Sequence, residues 1–340
     1  MTDIVGTTSG ASVGRTRPDL GHAGPSAEGE RRNWYDLPAP LRGSLERKLG
    51  ARVVRATTEA GGFSPGVASR LELSDGRRVF AKVVGKTANP DSPGVHRAEA
   101  QILAQMPSNA PVPRLLSTYD DGDWVALFLE EVKGRTPRLP WNSRELNRVV
   151  QAIESLAELF TPAPFAAPTL KRRYRGSFTR WRELAEAHRR GIDSLLDLDP
   201  WARGHLAGLV ELEERFPLVV KGSTLLHFDL RADNILVTRD RIFFVDWPWA
   251  CVGAEWIDLA GFLPSVAMQG GPSPWTIFDK SRLARGAKTD DVNSVLAALT
   301  GFLLGNARKP PPPGLSTLRP FQRAQGVEAL AWLRHRLDQQ

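Results

Sequence analysis

The stretch "STLLHFDLRADNILV", residues 223–237, sets His227, Asp229, Arg231, Asp233 and Asn234 between two apolar runs. Each of these groups is costly to bury without a partner, so their concentration between two strand-like segments points to a site. Turn chemistry is the plain alternative, because Asp and Asn are favoured in loops for local reasons. The downstream residues favour the site: an apolar strand "NILVT", a turn "RDR", a second strand "IFFV" and then Asp246. A hairpin returns the chain to its starting level, which would bring Asp229, Asn234 and Asp246 to one end. Mg²⁺ takes oxygen ligands and shares them with substrate phosphates, so the Asn234 carbonyl and the Asp246 carboxylate make a suitable pair of metal ligands. Asp229 is then left to accept a proton from an attacking hydroxyl. Asp233 is expected to be a solvated loop residue, and His227 a scaffold for the loop.

The rest of the chain sets bounds. At 340 residues and 41% hydrophobic it has the composition of an ordinary globular protein, large enough for one big domain or two smaller ones. A single cysteine, Cys251, excludes an internal disulfide framework and fits a reducing compartment. No apolar run approaches the roughly 18 residues that a membrane span needs, and the N-terminus lacks the order of a signal peptide. A cytoplasmic protein with no membrane partner is expected. The net charge of +7 attracts anions in general. Its one local run, "KRRYR" at 171–175, reads as a solvated helix start or loop, so no nucleic-acid partner is expected.

Residues 1–33 are rich in Gly, Ser, Thr and charge and read as a disordered tail. A lead-in helix over about 34–50 precedes a switch to period 2. "RVVRATTEA", "VASRLELS" and "RRVFAKVV" alternate as strands, the last two joined by the hairpin signal "SDGR". A helix over 93–106 and two further strands, "RLLSTYD" and "DWVALFLEEV", complete residues 34–132 as an N-terminal lobe. Residues 133–340 form a second, mainly helical lobe, with helices expected from Ser143 and near 178–194, 201–215, 256–268, 289–304 and 319–337. "KPPPPG" at 309–314 is a stiff connection into the last helix. The fold class is therefore α+β and bilobal, a small antiparallel sheet with one helix beside a larger helical lobe.

A phosphoryl-transfer site also needs a grip on phosphates. Gly61, Gly62 and Gly66 lie in the turn between two strands, where small residues let backbone N–H groups approach an anion. Lys82 shares a strand face with Phe80 and Val84, and Glu99 on the following helix is its natural partner. Such a pair would present the ammonium to nucleotide phosphates. Several tryptophans, among them Trp247, Trp249 and Trp256, read first as core and second as pocket lining.

Taken in order, the Gly-rich hairpin, Lys82, Glu99, the strand into Gly134, His227, Asp229, Asn234 and Asp246 resemble the protein-kinase-like fold. Within it, "LLHFDLRADNILV" with "FFVDWPWACVGAEWIDLAGF" is similar to the aminoglycoside phosphotransferase family, which includes choline-kinase-like enzymes. The resemblance implies ATP, sometimes GTP, as donor and a hydroxyl of a small molecule as acceptor; Mg²⁺ is expected with the nucleotide, and the protein is expected to be a monomer or homodimer. It implies that "LFLEEVKG" (127–134) is the hinge, with adenine meeting backbone groups of about Glu131 to Lys133, and that Asp258 braces the catalytic loop. Asp246 and the "WIDLAGF" helix lie about ten residues apart, without the loop that docks a peptide, so a protein acceptor is not expected. The turn lacks G-x-G-x-x-G and holds Pro65, and Phe228 stands where the family usually has Gly. Arg231 has two readings, neutralising the transferring phosphoryl group or bracing a neighbouring carboxylate. A catalytically silent kinase-like protein that binds a nucleotide or a partner is the alternative function.

Overall fold

A computed structural model describes residues 24–63, 65–87 and 89–339. A five-stranded antiparallel sheet is built from β1 (Val53–Thr58), β2 (Val67–Leu73), β3 (Arg78–Gly85), β4 (Leu115–Asp120) and β5 (Trp124–Glu130), in the order β1-β2-β3-β5-β4. The "SDGR" turn closes as a hairpin because Gly76 takes φ +86°, a conformation open to glycine at little cost. Alternation along β3 then divides the sheet between two helices. Val79, Ala81 and Val83 face Leu41 and Leu45 of helix Ala39–Leu49, whose first turn follows the buried Trp34. Val84, with Val125 and Leu127 of β5, packs against Ile102 and Leu103 of helix Ser92–Leu103. Lys82 has the parity of Val84 and so faces this second helix.

The second lobe packs helices Ser143–Leu159, Arg180–Arg189, Leu206–Val219, Ile257–Met268, Thr289–Ala307 and Leu318–Leu337 around an apolar core continuous with that of β5. Asn142 caps the first of these, accepting a hydrogen bond from the Glu145 N–H at 2.9 Å. The helix expected near 201–215 is two, Pro200–Gly204 and Leu206–Val219. "KRRYR" begins in a single turn, Leu170–Arg173, capped by Thr169. Two short ribbons carry the loop at 227–234: β6 (Thr224–Leu226) pairs with β9 (Cys251–Gly253), and β7 (Ile235–Val237) with β8 (Ile242–Phe244). Among the described residues, no helix is long and apolar enough to cross a membrane.

Of the expected tail, residues 1–23 lie outside the described residues. Residues 24–33 run beside the Gly-rich turn, where Glu28 bridges Gly62 and Arg31 bridges Gly66, both in parallel. The same stretch is tied to the helical lobe. The Glu30 N–H donates to the Gly314 carbonyl at 3.0 Å, and the Thr317 hydroxyl donates to the Glu28 carbonyl at 2.8 Å.

Candidate active site

The β7–β8 ribbon fixes the geometry of the loop. Ile235 pairs with Phe244, and the Val245 N–H donates to the Asn234 carbonyl at 2.9 Å, so Asn234 and Asp246 leave the ribbon at the same end. Asn234 Nδ2 donates to the Asp229 carbonyl at 2.8 Å and lies 3.4 Å from its carboxylate. The amide nitrogen is thereby committed to Asp229, and the side-chain oxygen of Asn234 is presented elsewhere. That oxygen and the Asp246 carboxylate are donors of the kind Mg²⁺ takes, so the residues fit the ion. Asp229, Asn234 and Asp246, expected together from hairpin logic, are together.

Two left-handed residues shape the loop, Phe228 at φ +64° and Asp246 at φ +69°. The strained Phe228 is held by Asp258, whose carboxylate accepts the N–H groups of His227 and Phe228, each at 2.8 Å. This is the brace that the resemblance implied. Burial pushes the Asp258 carboxyl up to about 6, against the pull of those two donors. His227 is a scaffold: it is buried, its Nε2 lies 2.9 Å from the Val245 carbonyl, and desolvation lowers its pKa to about 4. The Phe228 ring packs on Tyr174, with centroids 4.6 Å apart.

Lys82 crosses from the sheet to the loop. Its Nζ lies 2.7 and 2.8 Å from the two oxygens of Glu99 and 3.0 Å from Asp246 Oδ1. Glu99 is only 1% exposed, and burial drives its pKa up while Lys82 pulls it down. Burial also acts to raise Asp246, but the Lys82 ammonium wins and holds that carboxyl at about 2. Asp229 has the opposite balance. Burial lifts it to about 6 despite a hydrogen bond from Arg231.

Arg231 braces carboxylates, as one of its two readings held. It donates to Asp229 and, at 3.0 and 2.8 Å, to both oxygens of Asp233. Asp233 is therefore not the solvated residue expected. Its side chain is 15% exposed, because a neighbour two positions back turns its guanidinium onto it. The Arg231 guanidinium also lies over Phe63 at 5.2 Å and Phe321 at 5.6 Å, two rings that meet edge to face.

One cleft of about 360 Å³ lies between the lobes, lined by Asp233 and Phe63 among the groups above, while Asp229 and Arg231 stand behind its lining. Gly61, Gly62, Lys82, Asn234 and Asp246 line it, and so do Phe80 and Val132. Gly66 is set back, at φ +122°, where a Cβ would stand 2.5 Å from the Val83 carbonyl oxygen. Of residues 131–133, Val132 lines the cleft. The Glu131 carboxylate turns instead to Arg70 at 3.1 Å and Arg78 at 2.6 Å, and Lys133 is exposed. Trp247 and Trp256 are core, whereas Trp249 is exposed.

One cleft residue escaped the sequence reading. Arg31 reaches in from residues 24–33, donates to the Gly61 carbonyl, and lines the same cleft as Lys82 and Asp246. Burial lowers its pKa, and the carboxylates of Asp246 and Asp233 oppose that.

The sequence pattern of the phosphotransferase enzyme family matches residues 60–291. No curated protein matches the chain. Among solved structures, it is similar to a thermostable mutant of aminoglycoside phosphotransferase APH(4)-Ia in ternary complex with AMP-PNP and hygromycin B. That likeness has 14% identity and a TM-score of 0.58, and covers 87% of this chain and 98% of that one. Choline kinase LicA from Streptococcus pneumoniae gives 13% identity and a TM-score of 0.57, over 86% of this chain and 100% of that one. A choline/ethanolamine kinase family protein from Mesorhizobium loti gives 14% and 0.54, over 88% and 94%. These likenesses establish a shared, protein-kinase-like fold.

Proposed function

The chain belongs to the phosphotransferase enzyme family, and from that premise we propose that it transfers the γ-phosphate of ATP to a hydroxyl of a small molecule. The observation that carries this reading is Lys82, bonded at once to Glu99 and Asp246 in a cleft also lined by Asn234, the hydrogen-bond partner of Asp229. That junction supports a nucleotide whose phosphates meet Lys82 while its γ-phosphorus faces the catalytic loop. Mg²⁺ held by Asn234 and Asp246 would neutralise charge on the phosphate oxygens.

Asp229 is assigned as the catalytic residue. The acceptor hydroxyl donates to its carboxylate, the oxygen attacks phosphorus in line, the bond to ADP breaks, and the proton passes to Asp229. A carboxyl lifted to about 6 by burial is a better proton acceptor than an ordinary one and is still ionised at neutral pH. Arg231 fixes the orientation of that carboxylate through its bond to it. For the acceptor, an aminoglycoside or another hydroxyl-bearing antibiotic is the first candidate, with choline-like amino alcohols next. The rings of Phe63 and Phe321 beside Arg231 favour an acceptor with one uncharged face.

The test is coupled ADP release with Mg·ATP across aminoglycosides, macrolides, choline and other amino alcohols, sugars and homoserine. One acceptor should raise turnover well above the background hydrolysis. Asp229→Asn should lower kcat for it by about 10²- to 10⁴-fold while leaving nucleotide affinity in place. An Asp229→Asn protein with near-full turnover would refute the assignment.

A further inference from the structure

The Gly-rich turn does not offer its backbone to the cleft in the expected way. The Gly62 N–H donates to the Ala27 carbonyl at 2.7 Å, and the Gly66 N–H donates to the Glu30 carbonyl at 3.1 Å. Two of the amides that would otherwise approach a phosphate are thus taken by residues 27–30. The same segment returns a different donor to the same place. Its register is set by the Arg32 N–H, which donates to the Gly66 carbonyl at 3.0 Å, and by the Glu30 and Thr317 bonds to the helical lobe. Trp34, 1% exposed, anchors the chain three residues further on. Held in this way, the Arg31 side chain reaches the Gly61 carbonyl and lines the same cleft as Lys82, Asp233, Asn234 and Asp246.

We propose that Arg31 is a phosphate-binding residue of the nucleotide site, its guanidinium standing in for the glycine amides that its own segment has taken. The assignment rests on the reading of the cleft as a nucleotide site, and it extends that site beyond residues 60–291, where the family pattern matches. Charge supports it. Lys82 is held between Glu99 and Asp246, and Arg231 between Asp229 and Asp233. Asp233 and Asp246 stand in the cleft and act on Arg31 as well, so a polyanionic ligand entering there needs the positive charge of Lys82, Arg231 and Arg31 together. A guanidinium also suits the task by shape, since its planar fork bonds two phosphate oxygens at once. The proposal accounts as well for a turn that lacks G-x-G-x-x-G: with Arg31 as donor, close approach of the turn backbone to phosphate is not required.

Isothermal titration of the full chain with Mg·AMP-PNP, ADP and adenosine tests this. Arg31→Ala should weaken AMP-PNP and ADP by about tenfold or more and leave adenosine unchanged, because only the phosphates lose a partner. Arg31→Lys should recover part of the loss, and Arg31→Gln, which keeps the length of the side chain, should behave as Arg31→Ala. Unchanged or tighter nucleotide binding by Arg31→Ala and Arg31→Gln would overturn the assignment, the tighter case making Arg31 a competitor of the nucleotide. An equal loss for adenosine would also overturn it. If the unchanged protein binds none of the three ligands, the nucleotide-site reading itself falls and Arg31 with it.

Discussion

Replacing Lys82 with Met removes the one ammonium that touches both Glu99 and Asp246. The two partners then fare differently. Asp246 has a side chain 31% exposed and is left partly to water, whereas Glu99, at 1%, is left as an uncompensated charge in the core. Removing one member of a buried pair costs about 3–5 kcal/mol, most of it the penalty on the charge left behind. The loss depends on pH with a definite sign. Burial already holds the Glu99 carboxyl above its ordinary value, and without Lys82 it rises further. A carboxyl whose folded pKa exceeds its unfolded one stabilises the fold below the unfolded value and loses that contribution as pH rises. Urea unfolding should therefore show a Lys82→Met deficit of about 3–5 kcal/mol at pH 8 that shrinks toward pH 5. Glu99→Gln leaves Lys82 with Asp246 and should cost less, about 1–2 kcal/mol. The double variant should lie near Glu99→Gln, which gives a coupling energy in the cycle. A Lys82→Met deficit below about 1 kcal/mol at pH 8, or one equal at both pH values, would refute the buried pair.

Other outcomes concern the catalytic loop. With Asp229 lifted to about 6, kcat/KM for the acceptor should fall as pH drops through about 6, and Arg231→Ala should move that limb upward; a limb near 4, the ordinary carboxylate value, would exclude Asp229 as the group responsible. Asp258, also at about 6, stabilises the fold at low pH and loses that contribution as pH rises. Between about pH 4 and pH 7 the natural protein should therefore lose about 3 kcal/mol relative to Asp258→Asn in urea unfolding, and parallel pH profiles would contradict this.

The loop at 227–234 was legible because its geometry is local. A hairpin whose strands come one directly after the other places Asn234 and Asp246 together, and an alternating strand before a helix places Lys82 against Glu99. Asp233 misled because its environment is set by the direction in which Arg231 points, and composition does not encode that. Arg31 was invisible for a stronger reason. Residues 24–33 have almost no large apolar side chains to announce a packed segment. They are ordered by main-chain bonds to Gly62, Gly66 and Gly314, partners up to hundreds of residues away and without side-chain identity to read. Helix ends such as the break between Pro200–Gly204 and Leu206–Val219 fall in the same class, since the apolar spacing runs through them.

Through residues 27–30, which bond to Gly62 and Gly66, the Glu30–Gly314 and Glu28–Thr317 bonds tie the Gly-rich hairpin to the helical lobe. Rotation of the lobes about their connecting segment would have to break these bonds, which form a second link between them besides the chain itself. If the cleft holds a nucleotide as proposed, exchange by such a rotation would need residues 27–32 to peel from the hairpin, an event of local unfolding with its own barrier. Residence time of the product would then be a property of a short run of main-chain bonds, separate from the chemistry proposed at Asp229.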